Sequence, residues 1–168
     1  ILLMPNQSTN NEVNVIILAA GQGTRMYSSV SKVLHEVGNK TLINHVIDAA
    51  TPLASSINVI IGHNSESVKK SIQNNLIKWV LQKNQLGTGH AVIQAIPNIQ
   101  ENSMCLILYG DVPLIQTQTL LKLLEKANKT GFSLLTVIQN DPSGYGRIIR
   151  DSSKSIKSII EHKYANTE

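Results

Sequence analysis

The sequence predicts an α/β fold: a Rossmann-like, mostly parallel sheet with helices on both faces. Two observations lead there. Short apolar runs rich in Val and Ile recur along the chain without polar alternation, as strands buried on both faces require. Segments of helical period separate them, and strands joined through helices lie parallel.

In order, the strand runs are Val13 to Ala20, Ile57 to Ile61, Trp79 to Leu81, Met104 to Tyr109 and Phe132 to Ile138. The helical segments carry Leu42-Ile43-Val46-Ile47, Val68-Ile72-Leu76, Ala91-Val92-Ala95-Ile96 and Leu120-Leu121-Leu123-Leu124. The third is expected over Gly89 to Ile96, stopped by Pro97. Beyond Ile138, the turn-rich Asp141-Pro142-Ser143-Gly144-Tyr145-Gly146 leads into two short strand-like pieces, Arg147 to Arg150 and Ser155 to Ile160. The polar run Asn6 to Asn11 marks residues 1–12 as a disordered lead-in to one domain over 13–168. Internal repeats and low-complexity tracts are absent from the sequence.

Composition narrows the function classes. A chain of 168 residues with 42% hydrophobic content buries roughly 70% of its unfolded surface and needs no disulfide or structural metal. The single Cys105 sits in the apolar run Met104 to Leu108, which predicts a buried, inert thiol in a reducing compartment. The five histidines show no paired ligand spacing. The net charge of +4 is spread over strands, loops and helices, a weak argument for nucleic acid and an adequate one for a phosphate-rich small ligand. Apolar runs stay far below the roughly 20 residues that span a membrane. Ile1-Leu2-Leu3-Met4 is too short for a signal peptide and lacks a basic n-region, so a soluble, cytoplasmic protein is expected.

In parallel α/β sheets ligands bind beyond the carboxyl ends of the strands. The first run ends in Leu18-Ala19-Ala20-Gly21-Gln22-Gly23-Thr24-Arg25-Met26, a glycine-rich loop whose missing Cβ atoms let backbone N–H groups approach a phosphate. Met26 stands where the dinucleotide fingerprint needs its third glycine, and Gly-Lys-Ser/Thr of the P-loop is missing. Arg25 and Lys32, just after the loop, can clamp a triphosphate and offset charge at a transferring phosphorus. The plainer alternatives are a tight turn at Gly21 and Gly23 and solvated charge at Arg25 and Lys32.

These motifs resemble a known family. LAAGQGTRM followed by SKVLHEV looks like the signature of sugar-1-phosphate nucleotidyltransferases. WVLQKNQLGTGHA, LILYGDVPLI, DPSGYGRI and IIEHK, in the same order, are similar to the uridylyltransferase domain of the bifunctional GlmU enzymes of bacteria. The resemblance runs from about Val13 to Glu161 and implies a nucleotide-diphospho-sugar transferase fold. It implies transfer from UTP to N-acetylglucosamine-1-phosphate, giving UDP-N-acetylglucosamine for peptidoglycan and lipopolysaccharide precursors. It also implies a homotrimeric parent with a β-helical acetyltransferase half, and a domain that continues past Glu168 with a second, asparagine ligand to Mg²⁺. One departure stands inside the motifs: the family commonly has proline before the lysine, whereas Ser31 precedes Lys32 here, as in some thymidylyltransferases, which bears on the local loop shape.

The resemblance also assigns roles. Asp111 takes Mg²⁺, in keeping with an ion that binds few protein oxygens plus water and phosphates; the alternative is a turn or N-cap aspartate. Leu18, Ala19, Ala20, Gly21 and Lys32 take the phosphates, with Arg25 and Lys32 catalytic. Gln82, Gly87 and Thr88 take the nucleotide, Gln82 through an amide that can read the uracil edge; otherwise Thr88 caps a helix and Gln82 is solvated. Tyr109, Gly110, Gly146 and Glu161 are expected around the sugar, though turns and strand ends use such residues routinely. A sibling using dTTP or another sugar phosphate shares the glycine loop and the aspartate, while Gln82 and Gly87-Thr88-Gly89 favour the uridylyl branch. A catalytically inactive sugar-nucleotide-binding module is the rival from another class, against which Arg25, Lys32 and Asp111 together speak.

Overall fold

The computed structural model describes residues 12–21, 28, 30–62 and 65–165, so all but the last residue of the expected lead-in lies outside the described residues. The chain forms two compact units, dividing between Leu134 and Leu135.

The first unit is built on four strands, β1 (Val13–Leu18), β4 (Ser56–Ile61), β5 (Ile77–Leu81) and β6 (Met104–Tyr109), hydrogen-bonded in the order β5-β4-β1-β6. All three pairings are parallel. Helices α1 (Leu42–Ala50), α2 (Glu66–Lys70), α3 (Thr88–Ala95) and α4 (Thr117–Thr130) supply the covering layers. Strand alternation divides β1 between two cores: Val13, Val15 and Ile17 pack with Ile43, Val46, Leu120 and Leu124 on one face, and Ile16 packs with Ile60, Val80, Ala91 and Ala95 on the other. Both faces are therefore covered, α1 and α4 on one and α3 on the other, as the predicted fold class requires.

Two expected elements differ. The second helix stops at Lys70 instead of reaching Leu76. Side chains there compete with the helix ladder: Ser71 Oγ donates to Val68 O at 2.8 Å, and Asn74 Oδ1 accepts from Leu76 N at 2.9 Å. Val68 and Ile72 are still buried, so the apolar spacing reported burial correctly. The run Phe132 to Ile138 forms no strand, and Ile138 is 99% exposed. Apolar, β-prone sequence makes a strand only with a ladder partner, and this run pairs with none of the described strands.

A short hairpin of β2 (Glu36–Val37) and β3 (Lys40–Thr41) turns through Gly38 and Asn39 at φ of 59° and 62°. Left-handed conformation at both turn residues matches the twist of the flanking strands. Thr41 then caps α1. The second unit contains the antiparallel hairpin of β7 (Arg147–Arg150) and β8 (Ile156–Ile160). Its turn is tied by Asp151, whose Oδ1 accepts from Ser153 N at 2.9 Å, Ser153 Oγ at 2.6 Å and Ser155 N at 3.0 Å. No helix among the described residues is long and apolar enough to cross a membrane.

Cys105 lies half-buried on β6 beside the α3-side core, and burial pushes its thiol pKa up. The thiolate is the reactive form, so a raised pKa leaves less of it at any given pH. Labelling of the folded chain by an aromatic disulfide at pH 8 should run at least about tenfold slower than after unfolding in urea. Equal rates would contradict an inert thiol.

Candidate active site

The carboxyl ends of β1, β5 and β6 converge on one cavity. The exits are tied to one another by backbone hydrogen bonds: Ala19 N donates to Ile60 O at 2.9 Å, Gly110 N to Leu18 O at 3.0 Å, and Gln82 N to Ile61 O at 2.8 Å. The cavity measures about 610 Å³. Its wall contains ten of the residues expected from sequence, namely Leu18, Ala19, Ala20, Gly21, Lys32, Gln82, Gly87, Thr88, Tyr109 and Asp111. Val33, Gln85 and Ala91 complete it.

Lys32 opens a short 3₁₀ turn, Lys32–Leu34, anchored by the buried Val33. Ser31 before it has φ of −53°, a value proline also adopts. Lys32 Nζ lies 2.6 Å from Asp111 Oδ2, the two side chains being 40% and 28% exposed. A cation and a carboxylate far apart in the sequence thus meet in the cavity wall. Asp111 sits in the turn after β6 and caps no helix, since α4 begins after Gln116.

Gly110 gives that turn its close approach to the sheet. A Cβ there would stand 3.2 Å from Leu18 O and 3.3 Å from Val33 Cγ1. Tyr109, the last residue of β6, is exposed beside it.

Gln82 is not solvated. It is 4% exposed, and its Nε2 donates to Gly87 O at 3.2 Å and faces His90 Nδ1 at 3.0 Å. Gly87 reaches this position with φ of 97°, a conformation that favours glycine. It also serves as the N-cap of α3, whereas Thr88 is the first helical residue and makes no cap hydrogen bond. Gln85, absent from the sequence expectations, donates from Nε2 to Ala20 O at 2.6 Å and fastens this loop to the end of β1. A lone glutamine in a polar loop offers no spacing signal that reveals such a tie.

Arg25 lies outside the described residues. Gly146 and Glu161 belong to the second unit, where Gly146 precedes β7 and Glu161 follows β8. Among the described residues, no three His, Cys, Asp or Glu side chains gather to hold a metal. One cavity carboxylate fits a hard cation that keeps water and arrives with phosphates, and does not fit a metal caged by protein alone.

The MobA-like NTP transferase domain family matches residues 15–157. Rv0371c from Mycobacterium tuberculosis H37Rv is similar in structure at 17% identity, with a TM-score of 0.64 over 73% of this chain and 63% of that protein. The same protein in complex with manganese gives 16% identity and a TM-score of 0.60 over 72% of this chain and 62% of that one. UDP-glucose pyrophosphorylase complexed with UDP-glucose gives 20% identity and a TM-score of 0.71 over 90% of this chain and 69% of that one. The chain thus spans less than two thirds of the mycobacterial protein's length, and these likenesses establish a shared nucleotide-diphospho-sugar transferase fold.

Two substitutions separate packing from charge in this wall. Gly110→Ala should cost about 1–3 kcal/mol in urea denaturation, because the backbone oxygen of Leu18 cannot retreat without disturbing β1. Lys32→Ala should cost less than about 1 kcal/mol, because a partly exposed ion pair contributes little. The reverse order would mean that the pair, not the close approach, holds the turn.

Proposed function

The chain belongs to the MobA-like NTP transferase domain family, and from that premise we propose that it is the nucleotide-binding part of a sugar-1-phosphate uridylyltransferase forming UDP-N-acetylglucosamine and pyrophosphate. The observation that carries the reading is the meeting of Lys32, Asp111 and the β1 exit, residues Leu18 to Gly21, in one cavity wall.

In this reading the phosphate oxygen of the sugar phosphate attacks the α-phosphorus of UTP in line and pyrophosphate leaves. No covalent enzyme intermediate is needed, so the protein contributes position and charge. The strand-end backbone holds the phosphates, and Lys32 exchanges its Asp111 partner for phosphate oxygens. Arg25 stabilises the triphosphate and the leaving pyrophosphate. Gln82, Gly87 and Thr88 hold the nucleoside, while Tyr109 and Gly110 contact the sugar. Asp111 would hold a divalent cation, taken as Mg²⁺, which when bound neutralises phosphate charge.

A sibling using dTTP or another sugar phosphate shares the glycine loop and the aspartate. Pyrophosphate release from UTP and dTTP, each with N-acetylglucosamine-1-phosphate and glucose-1-phosphate, separates the two. UTP with N-acetylglucosamine-1-phosphate should give the highest kcat/KM in the whole protein, and a higher value for any other pairing would replace this substrate assignment. Asp111→Asn should weaken the divalent-cation dependence, since an amide keeps the shape and loses the charge. An unchanged Mg²⁺ or Mn²⁺ titration would remove Asp111 from the metal role.

A further inference from the structure

The His90 ring has no place in the chemistry above, yet it touches the most deeply buried polar side chain of the cavity wall. Gln82 is 4% exposed, and its Nε2 meets two neighbours, Gly87 O at 3.2 Å and His90 Nδ1 at 3.0 Å. A carbonyl oxygen only accepts, so Gly87 requires the NH₂ end of the amide to point its way. The same NH₂ then faces His90 Nδ1, which must accept as well. That is possible only for a neutral imidazole carrying its proton on Nε2. With both N–H bonds engaged inside the protein, the amide has its acceptor, Oε1, left for a ligand.

Resting on the reading of this cavity as a nucleotide site, we propose that His90 is a positioning residue for base recognition: its bare Nδ1 locks the Gln82 amide so that Oε1 reads an imide N–H of the base. Uracil offers that donor at N3. Cytosine has an unprotonated acceptor at the same position, which Oε1 repels. An amide turned end over end presents N–H instead and reverses the preference. Gly87 alone holds one N–H of the amide, and His90 supplies the second point that fixes its plane. Gln94 Nε2 stands 3.4 Å from the other ring nitrogen and 3.5 Å from His90 O, both longer than the 3.0 Å between Gln82 Nε2 and His90 Nδ1, so the shorter contact sets the tautomer.

The test compares binding of UTP and CTP to the full chain and to His90→Ala and His90→Asn by calorimetry. Long-range ¹H–¹⁵N spectra read the imidazole tautomer. Asparagine can return an acceptor at the position of Nδ1, and alanine cannot. The unmutated chain should prefer UTP, His90→Ala should lose about tenfold of that preference, and His90→Asn should keep it within about threefold. The ring should carry its proton on Nε2. A UTP to CTP ratio unchanged in His90→Ala, or a proton on Nδ1 in the unliganded chain, would overturn the proposal. Should alanine unfold the chain, His90→Asn and the tautomer still decide. Failure of the unmutated chain to bind either nucleotide would overturn the nucleotide-site reading itself, a result told apart because failure of the His90 proposal leaves binding intact and removes only the difference between variants.

Discussion

Everything in the cavity depends on where β1 stops. β1 is paired on both edges and covered on both faces, so its register with β4 and β6 admits no slip without moving a row of side chains from one core to the other. Leu18 stands opposite Ile60 on one side and Tyr109 on the other, and Ile61 stands opposite Leu81. The chain therefore leaves the sheet at neighbouring points: at Ala19, Gly62, Gln82 and Gly110. Loops that exit this close together cross at van der Waals distance. A Cβ at Gly62 would meet Gln85 Nε2 at 3.1 Å and Ala20 O at 3.2 Å, and one at Gly110 would meet Leu18 O at 3.2 Å. Glycine at these two exits follows from parallel pairing, before any ligand is considered.

The same geometry brings together charges that the sequence keeps far apart. Lys32 arrives from the segment after β1, held down by Val33, while Asp111 arrives from the end of β6. Their separation of 2.6 Å neutralises both. Partial exposure keeps the desolvation cost low, and it also keeps the pair weak enough to be exchanged. A site holding only the cation would attract anions at all times, and one holding only the carboxylate would repel them.

Legibility in the sequence followed the source of the signal. Continuous Val and Ile runs between Val13 and Tyr109 were readable because burial on both faces leaves no polar alternation to confuse. Strand ends could be taken as the site because parallel topology places them together. The misread elements were those decided by partners. Val68 and Ile72 carry helical spacing, but Ser71 and Asn74 divert the backbone with their own side chains. Phe132 to Ile138 has strand composition but pairs with none of the described strands. Gln85 and His90 act through single contacts with Ala20 O and the Gln82 amide, and single contacts leave no periodic trace.

Those single contacts also explain how a loop-lined cavity can hold a defined shape. Loops gain precision only when their polar groups are fastened to something rigid, and here the fastening points are backbone oxygens and one ring. Gln85 closes on the end of β1, Gln82 on Gly87 O and His90, and Gly87 itself begins α3. The Gln82 amide thus spends both N–H groups within the protein and the Gln85 amide one. Side-chain freedom is lost at folding, not at binding, so a ligand meets groups already ordered and forfeits less on association. Most of the wall's specificity then resides in what remains unspent: acceptor oxygens of the amides, backbone at the β1 exit, and the Lys32 cation, paired with a carboxylate it can leave.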